Sequence, residues 1–249
     1  MRRLLMGWMV VVGIFTTCNV LAAGQCDIRS GSQIVPLIEL YTSEGCSSCP
    51  PADRWLSSKL RTGEFEANWL AFHVDYWDDL GWPDRFASAR HTERQRARVN
   101  AAGQSTVYTP QVMIGSQVQT AWRAAPMVAR ALDAAHGAAQ AGLALQLDGR
   151  QLRVGAVRSG QGGSSAQVWV AQTVDGVKTA VRAGENSGTI LNHDRVVTRL
   201  WGPWPLGAAP LAKVIDIDPG QGAWGVTAFV QDTNGKVLQS LRLASTECR

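Results

Sequence analysis

Hydrophobic and polar positions along this chain fall into two successive patterns. In the first, short apolar runs alternate with amphipathic stretches of helical length. Residues 34–40 are apolar apart from Pro36 and Glu39, the pattern of a strand covered on both faces in a parallel or mixed sheet. After a loop at 41–45, Ala52, Trp55, Leu56 and Leu60 recur at helical spacing. Residues 69–74 read as a second strand, and 85–102, rich in Arg, Ala, Glu and Gln, as an exposed helix. Residues 109–115 form a third strand candidate. An amphipathic helix over 124–141 follows, with Met127, Ala131, Leu132 and Ala135 on one side. This alternation predicts an α/β domain over residues 24–141.

Near Gly142 the helical signal stops. Strand-length runs follow at 143–147, 152–157, 167–174, 189–200, 211–217, 224–231 and 236–243. Asp148-Gly149, Asp175-Gly176 and Asn234-Gly235 read as hairpin turns between them. Residues 142–249 are therefore expected to form an all-β, antiparallel sandwich-like domain.

The first 23 residues interrupt neither pattern but precede both. Arg2 and Arg3, the apolar run 4–12 and the small residues Ala22 and Ala23 read as a cleavable export signal. The run is short for a membrane span and is broken by Thr16, Thr17 and Asn19. The expected product is exported, periplasmic or secreted, with no stable membrane span. Without Arg2 and Arg3, 22 basic residues stand against 20 acidic ones, and this balance gives no reason to expect nucleic acid as partner. The ten tryptophans serve as core anchors or binding platforms, and composition alone does not separate the two.

Export changes the reading of the cysteines. Cys18 leaves with the signal, and Cys26, Cys46, Cys49 and Cys248 remain. An even number in an oxidising compartment predicts disulfides. Cys46 and Cys49 are close enough to pair, which leaves Cys26 for Cys248. A bond closing almost the whole chain contributes about 4–5 kcal/mol in chain-entropy models. Cys26–Cys248 is thus read as structural and Cys46–Cys49 as chemical.

A lone C-x-x-C fits half a zinc site, a structural bridge or a redox pair. Zinc needs two further ligands at suitable spacing, and neither a second CxxC nor an HxxxH is present. Placement between a buried strand and a helix favours the redox pair. Amides at a helix start stabilise a thiolate at the exposed cysteine, expected to be Cys46, and two-residue spacing lets Cys49 resolve a mixed disulfide. Pro50 and Pro51 donate no backbone hydrogen bond, which is harmless in a first helical turn and weakens the dipole argument if the helix begins earlier.

The order of strand, CxxC, helix, strand, helix, Thr109-Pro110 strand and helix resembles the thioredoxin superfamily over about residues 34–141. More narrowly, five segments resemble an uncharacterised bacterial family of exported thioredoxin-like proteins, domain of unknown function 1223: the run from Glu39 to Asp53, His73-Val-Asp-Tyr-Trp-Asp78, Gly81-Trp-Pro83, Tyr108-Thr-Pro110 and Gly184-Glu-Asn-Ser-Gly188. The resemblance implies a thioredoxin-like first domain. It also implies that Pro110 is cis and lies against the dithiol, with Thr109, Tyr108 and Trp77 positioning a substrate. It implies activity by analogy alone. Ser47-Ser48 between the cysteines, and the lack of a Trp before Cys46, depart from well-studied thioredoxins.

Other side chains remain open to two readings. Strand alternation would set His73, Asp75 and Trp77 on one side, as a proton-handling or metal-binding group or as a packed strand end. Trp82-Pro83 shapes a lid or packs. Glu185-Asn186-Ser187 and Asn192-His193-Asp194 carry site chemistry but have the composition of turns. Trp201 and Trp204 form a platform or lie buried. The leading expectation is an envelope thiol–disulfide oxidoreductase acting on protein thiols or disulfides and needing no organic cofactor. The alternatives are a copper-delivery protein using Cys46, Cys49 and His73, which suits soft-ligand chemistry, and a non-catalytic binding protein with a fixed bridge.

Overall fold

All six residues of β2 (Leu37–Thr42) and all six of β3 (Asn68–His73) are buried, as expected of strands covered on both faces. They pair in parallel, and β4 (Gln111–Ile114) joins β2 antiparallel. The computed structural model from which this is drawn describes residues 26–159, 165–218, 220 and 222–247. Ile38 and Leu40 of β2, Trp69 of β3 and Val112 of β4 pack under Ala52 and Leu56 of α1 (Pro50–Thr62) and Val128 and Leu132 of α3 (Ala125–Ala135). The opposite face carries Leu37, Tyr41, Leu70, Phe72 and Met113. There α2 (Ala89–Ala101) reaches the sheet with Arg94 and Arg98, both paired with Glu39.

The β-rich half of the chain does not form a separate body behind this unit. Its strands are β6 (Ala141–Asp148), β7 (Gln151–Arg158), β8 (Ala166–Val174), β9 (Val177–Ala180), β10 (Ile190–His193), β11 (Val196–Leu206), β12 (Leu211–Asp216), β13 (Trp224–Asp232) and β14 (Val237–Ala244). With β1 (Cys26–Arg29) and β5 (Gln117–Val118) they build three sheets. One has eight strands in the order β14-β13-β8-β11-β3-β2-β4-β5 and so draws on both halves of the sequence. The second, β1-β6-β7-β12, packs on its far end through Leu143, Leu145, Val154, Val168, Val170 and Ala228. The third is the β9–β10 hairpin.

The expected α/β thioredoxin-like domain followed by an all-β domain is therefore corrected. The described chain is mostly β with three α-helices, and its largest sheet is continuous across the expected division. The joint is the parallel pairing of β11 with β3, at Val196 and Ala71. Its physical cause is the open edge β3 would otherwise present, a row of unpaired backbone groups that a further strand satisfies. Apolar runs mark residues as strand but do not specify the neighbouring strand.

Smaller differences have local causes. Asp148-Gly149 and Asn234-Gly235 do close hairpins, with Gly149 and Gly235 at φ 57° and 78°. Asp175-Gly176 does not, because β9 pairs with β10 instead of β8. The single strand expected over 189–200 is two, divided at Arg195 with φ 58°. The helix expected from residue 85 starts at Ala89, where Ser88 Oγ accepts the Arg90 amide. The last expected helix ends at Ala135, and β6 begins at Ala141. The export signal at 1–23, Cys18 and Cys248 lie outside the described residues. Cys26 is disulfide-bonded.

Candidate functional site

Chain geometry at the start of α1 follows from its two prolines. Cys49 is the N-cap, and Pro50 and Pro51 occupy the first two helical positions, where an amide would have no helical partner. The Ala52 and Asp53 amides both donate to Cys49 O, at 2.8 and 3.2 Å. Cys46 and Cys49 form a disulfide, with Cα atoms 5.4 Å apart. Both cysteines are fully buried while Ser47 and Ser48 between them are exposed, so the expectation of an exposed Cys46 is corrected.

The loop joining β9 to β10 is fastened to this segment. Asn186 Nδ2 donates to Glu44 O and Cys46 O, at 2.8 and 3.0 Å, and Glu185 Oε2 accepts the Ser47 amide at 3.0 Å. Both residues belong to a segment with turn-like composition; the tertiary fold makes it part of the dithiol's surroundings.

Beside the disulfide lies a buried group of two histidines and three carboxylates. His73 Nδ1 is 2.6 Å from Asp84 Oδ2, and Asp84 also accepts the Glu44 and Phe86 amides. Glu44 Oε2 accepts Trp82 Nε1 at 2.9 Å, and Glu44 Oε1 lies 3.3 Å from His193 Nε2, within ion-pair range but out of line for a hydrogen bond. His193 Nδ1 is 3.9 Å from Asp53 Oδ2, and the His73 and His193 rings meet edge to face at 5.0 Å. Asp53 comes from the first turn of α1, four residues after Cys49, so the two share a helix face. His73 Nε2, both ring nitrogens of His193 and Glu44 Oε1 are buried without a protein hydrogen-bond partner.

Burial and charge act against one another in this group. Burial raises the Asp53 carboxyl above the usual range, and the nearby His193 and His73 only partly oppose it. At Asp84 burial also pushes up, but the charge and hydrogen bond of His73 and two backbone amides prevail and lower it. Burial depresses His73, yet the facing Asp84 outweighs it and raises the imidazole. At Glu44 burial is outweighed by contacts from His193, Thr179 and Trp82, and the carboxyl is lowered. Such opposed shifts in one buried group typify proton-handling sites.

Of the residues expected at the site, Thr109 and Trp77 are joined by a 2.8 Å bond from Trp77 Nε1 to Thr109 Oγ1. Trp77 also packs on Gly45, where an added Cβ would lie 3.1 Å from Trp77 Cβ. The Thr109–Pro110 bond is cis. Register Tyr41↔Gln111 sets Pro110 opposite the end of β2, where the chain enters the dithiol loop. Tyr108 is exposed, and its carbonyl accepts Gln95 Nε2 at 2.9 Å. His73, Asp75 and Trp77 do not share a side. β3 ends at His73, the chain turns, and Asp75 Oδ1 instead accepts Thr92 Oγ1 at 2.5 Å. Trp201 and Trp204 are half-buried against the core between the eight-stranded and four-stranded sheets.

Sequence reasoning missed Asp84 as a partner of His73 and gave no role to Glu44 or Asp53. Their signal was present only as polar residues inside apolar surroundings. Cys46, Cys49 and His73 are the residues of the metal alternative. The sulfurs are bonded to one another, Asp84 holds His73 Nδ1, and among the described residues no three His, Cys, Asp or Glu side chains have metal-holding geometry.

The model of a family described as a protein of unknown function, DUF1223, matches residues 37–231. The crystal structure of protein AGR_C_4864 from Agrobacterium tumefaciens is similar, with TM-score 0.65 and 25% identity over 84% of this chain and 94% of that one. No curated protein matches the chain.

Proposed function

The chain belongs to the DUF1223 family, and we propose that within it the Cys46–Cys49 pair is a redox-active disulfide that exchanges with protein thiols or disulfides. The observation that carries this reading is the buried group of His193, Glu44, Asp53 and His73 beside the disulfide, in which Glu44 Oε1, His73 Nε2 and both His193 ring nitrogens make no aligned hydrogen bond. Buried polar atoms without partners destabilise a fold, and a purely structural bridge has no use for them. The bridge is also a poor staple. A loop of four residues gains only about 2 kcal/mol in the chain-entropy model, against more than twice that for a loop of a hundred.

In this reading reduced Cys46 attacks a partner's disulfide as the thiolate. A mixed disulfide forms, and one partner sulfur leaves as a thiolate. Cys49 passes its proton to the neighbouring buried group, through Asp53 and His193, and attacks the Cys46 sulfur. The mixed disulfide breaks, the Cys46–Cys49 bond forms, and two electrons have passed to the partner. The reverse sequence oxidises a partner dithiol through the same bonds. Both cysteines are buried, and in this reading the β9–β10 loop, bonded by Asn186 and Glu185 to the backbone of Cys46 and Ser47, moves to let a partner reach Cys46. In this reading Thr109, Pro110, Tyr108 and Trp77 form the surface that positions the substrate.

Kinship with thioredoxin-like proteins belongs to this proposal only for the local unit of β2, dithiol, α1, β3 and the strand following Pro110. The proposed place of action is an oxidising envelope or extracellular compartment, in keeping with a second disulfide at Cys26. Among the described residues no helix is long and apolar enough to cross a membrane.

The test is a trapping experiment. Reduced Cys49→Ser is incubated with a peptide disulfide and analysed by intact mass. A stable adduct on Cys46 is expected, and Asn186→Ala should form it several-fold faster than a variant with the loop intact. No adduct in either background sinks the proposal.

A further inference from the structure

Two clefts meet at Arg85, and one of them is lined by Glu44, two residues before Cys46. The nearer, about 480 Å³, is bounded by Glu44 and Trp82 on the dithiol side and by Arg85, Lys178 and Arg182 around it. The farther, about 450 Å³, continues from Arg85 past the start of α2 to Arg90 and Arg199. Each approaches the size of a small-ligand site, and together they form a track leading away from the Cys46 loop.

Five cations line this track: Arg85, Arg90, Lys178, Arg182 and Arg199. All five are exposed. Among the described residues none of them enters an ion pair. Arg90 donates to a carbonyl, Gly202 O, and Arg85 stacks on Phe86. Glu44 is the one carboxylate in either wall, and it is fully buried and engaged by Trp82 and His193. Glu185, on the same hairpin as Arg182, is occupied with the Ser47 amide. Arg85 and Arg90 flank Ser88, the cap of α2, so the positive end of that helix adds to the same field. A chain whose charges nearly cancel overall thus gathers five unpaired positive ones along a path beside its disulfide. Like charges kept together without counter-ions cost solvation and repulsion, and a partner of opposite sign relieves both.

The geometry points to a polypeptide partner that presents acidic residues beside its reacting cysteine, seated along this track. The inference rests on the redox reading for its reaction and on charge complementarity for its binding. Acidic side chains reach Arg85, Lys178 and Arg182 in the nearer cleft. A longer acidic stretch continues to Arg90 and Arg199. Long-range attraction brings such a partner to the dithiol faster than a neutral one, and salt removes the advantage.

The experiment uses three disulfide-linked peptides of one length, with acidic, uncharged or basic flanks, and two readouts. Exchange with the reduced protein is followed by stopped flow. Binding of the same sequences, with cysteine blocked, is followed by fluorescence anisotropy. The acidic peptide should exchange about tenfold faster than the uncharged one at low salt, with the difference gone near molar salt. Charge reversal at Arg85, Lys178 and Arg182 together should invert the order of acidic and basic peptides, while Arg130→Glu on α3 should not. Equal rates and equal binding for all three peptides would overturn the inference. So would an acidic preference that Arg130→Glu abolishes as fully as the triple reversal, which would make it an effect of net charge. Binding of phosphatidylglycerol vesicles without any peptide preference would reassign the track to a membrane surface and also overturn it. If no peptide exchanges, the redox reading has failed, and anisotropy alone still decides the acidic preference.

Discussion

Glu39 and Glu44 stand five residues apart, one within β2 and one just beyond it, and each is buried against basic side chains. Around Glu39 the carboxylate is closed, since both of its oxygens accept a hydrogen bond, although Arg94 Nε and Arg98 Nε make none that is aligned. Arg94 Nη2 reaches Glu39 Oε1 at 2.7 Å and Gln231 Oε1 at 2.8 Å, and its guanidinium lies over Phe72, Trp169 and Phe229. Arg98 pairs with Glu39 and donates to the Gly115 and Gly235 carbonyls, and Tyr41 donates to Glu39 Oε2 at 2.6 Å. Burial raises the Glu39 carboxyl, but the two arginines and Tyr41 more than reverse this. Around Glu44 the carboxylate is open: Glu44 Oε1, His73 Nε2 and both His193 ring nitrogens make no aligned hydrogen bond, although Glu44 Oε1 and His193 Nε2 lie in ion-pair range at 3.3 Å. The first arrangement holds α2 to the sheet. The second costs stability and lies beside the Cys46–Cys49 bond, proposed above as redox-active, the pattern expected where function overrides packing.

The sharpest way to break this contrast is Glu39→Gln. It leaves Arg94 and Arg98 buried without a countercharge and should destabilise the protein by about 3–5 kcal/mol in urea unfolding. Asp53→Asn, on the open side, removes a carboxyl whose charge burial already disfavours, and should change stability by no more than about 1 kcal/mol. Its effect should appear instead as slower resolution of the Cys46 mixed disulfide. Equal losses from the two substitutions would erase the distinction.

His91 lies between the regions. Its Nδ1 donates to His73 O at 2.9 Å and its ring meets Phe72 edge to face. Burial depresses its imidazole to about 4 from the ordinary 6.5. The unfolded chain therefore takes up this proton first, so stability is lost as pH falls from 6.5 towards 4, by up to about 3 kcal/mol. The raised His73 acts in the opposite sense, its contribution being lost as pH rises above 6.5. His91→Gln should flatten the acid limb of urea midpoints between pH 7 and pH 4.5. An unchanged limb would assign acid sensitivity to the carboxylates instead.

Reducing the Cys46–Cys49 bond should cost about 2 kcal/mol and leave the fold intact by circular dichroism. Global unfolding on selective reduction would make the bridge structural. A small effect is also expected from Ser88→Ala, which removes the cap of α2 for about 1 kcal/mol and should lower the midpoint of thermal unfolding.

Much of the local structure was legible from residue pattern. Apolar runs located β2, β3 and β4, helical spacing located α1, and Asp148-Gly149 and Asn234-Gly235 located two turns. The site was legible only in part. Cys46, Cys49 and Thr109-Pro110 announce themselves by residue type, but Asp84, Asn186 and His193 lie 40, 142 and 149 residues from Glu44 along the chain. Nothing in the spacing of Asn192-His193-Asp194 separates a turn from a histidine held between Glu44 and Asp53.

The chain's own order of side chains determined where strands and helices form, because burial periodicity and turn chemistry act over a few residues. It also determined that two cysteines stand at a helix start, since two prolines can enter a helix only there. Tertiary structure decided that β11 closes the edge of β3, that a hairpin is fastened to the dithiol loop, and that both sulfurs are buried. Those outcomes depend on which surfaces meet, and backbone groups left unpaired at a strand edge find partners by proximity in space, not along the chain.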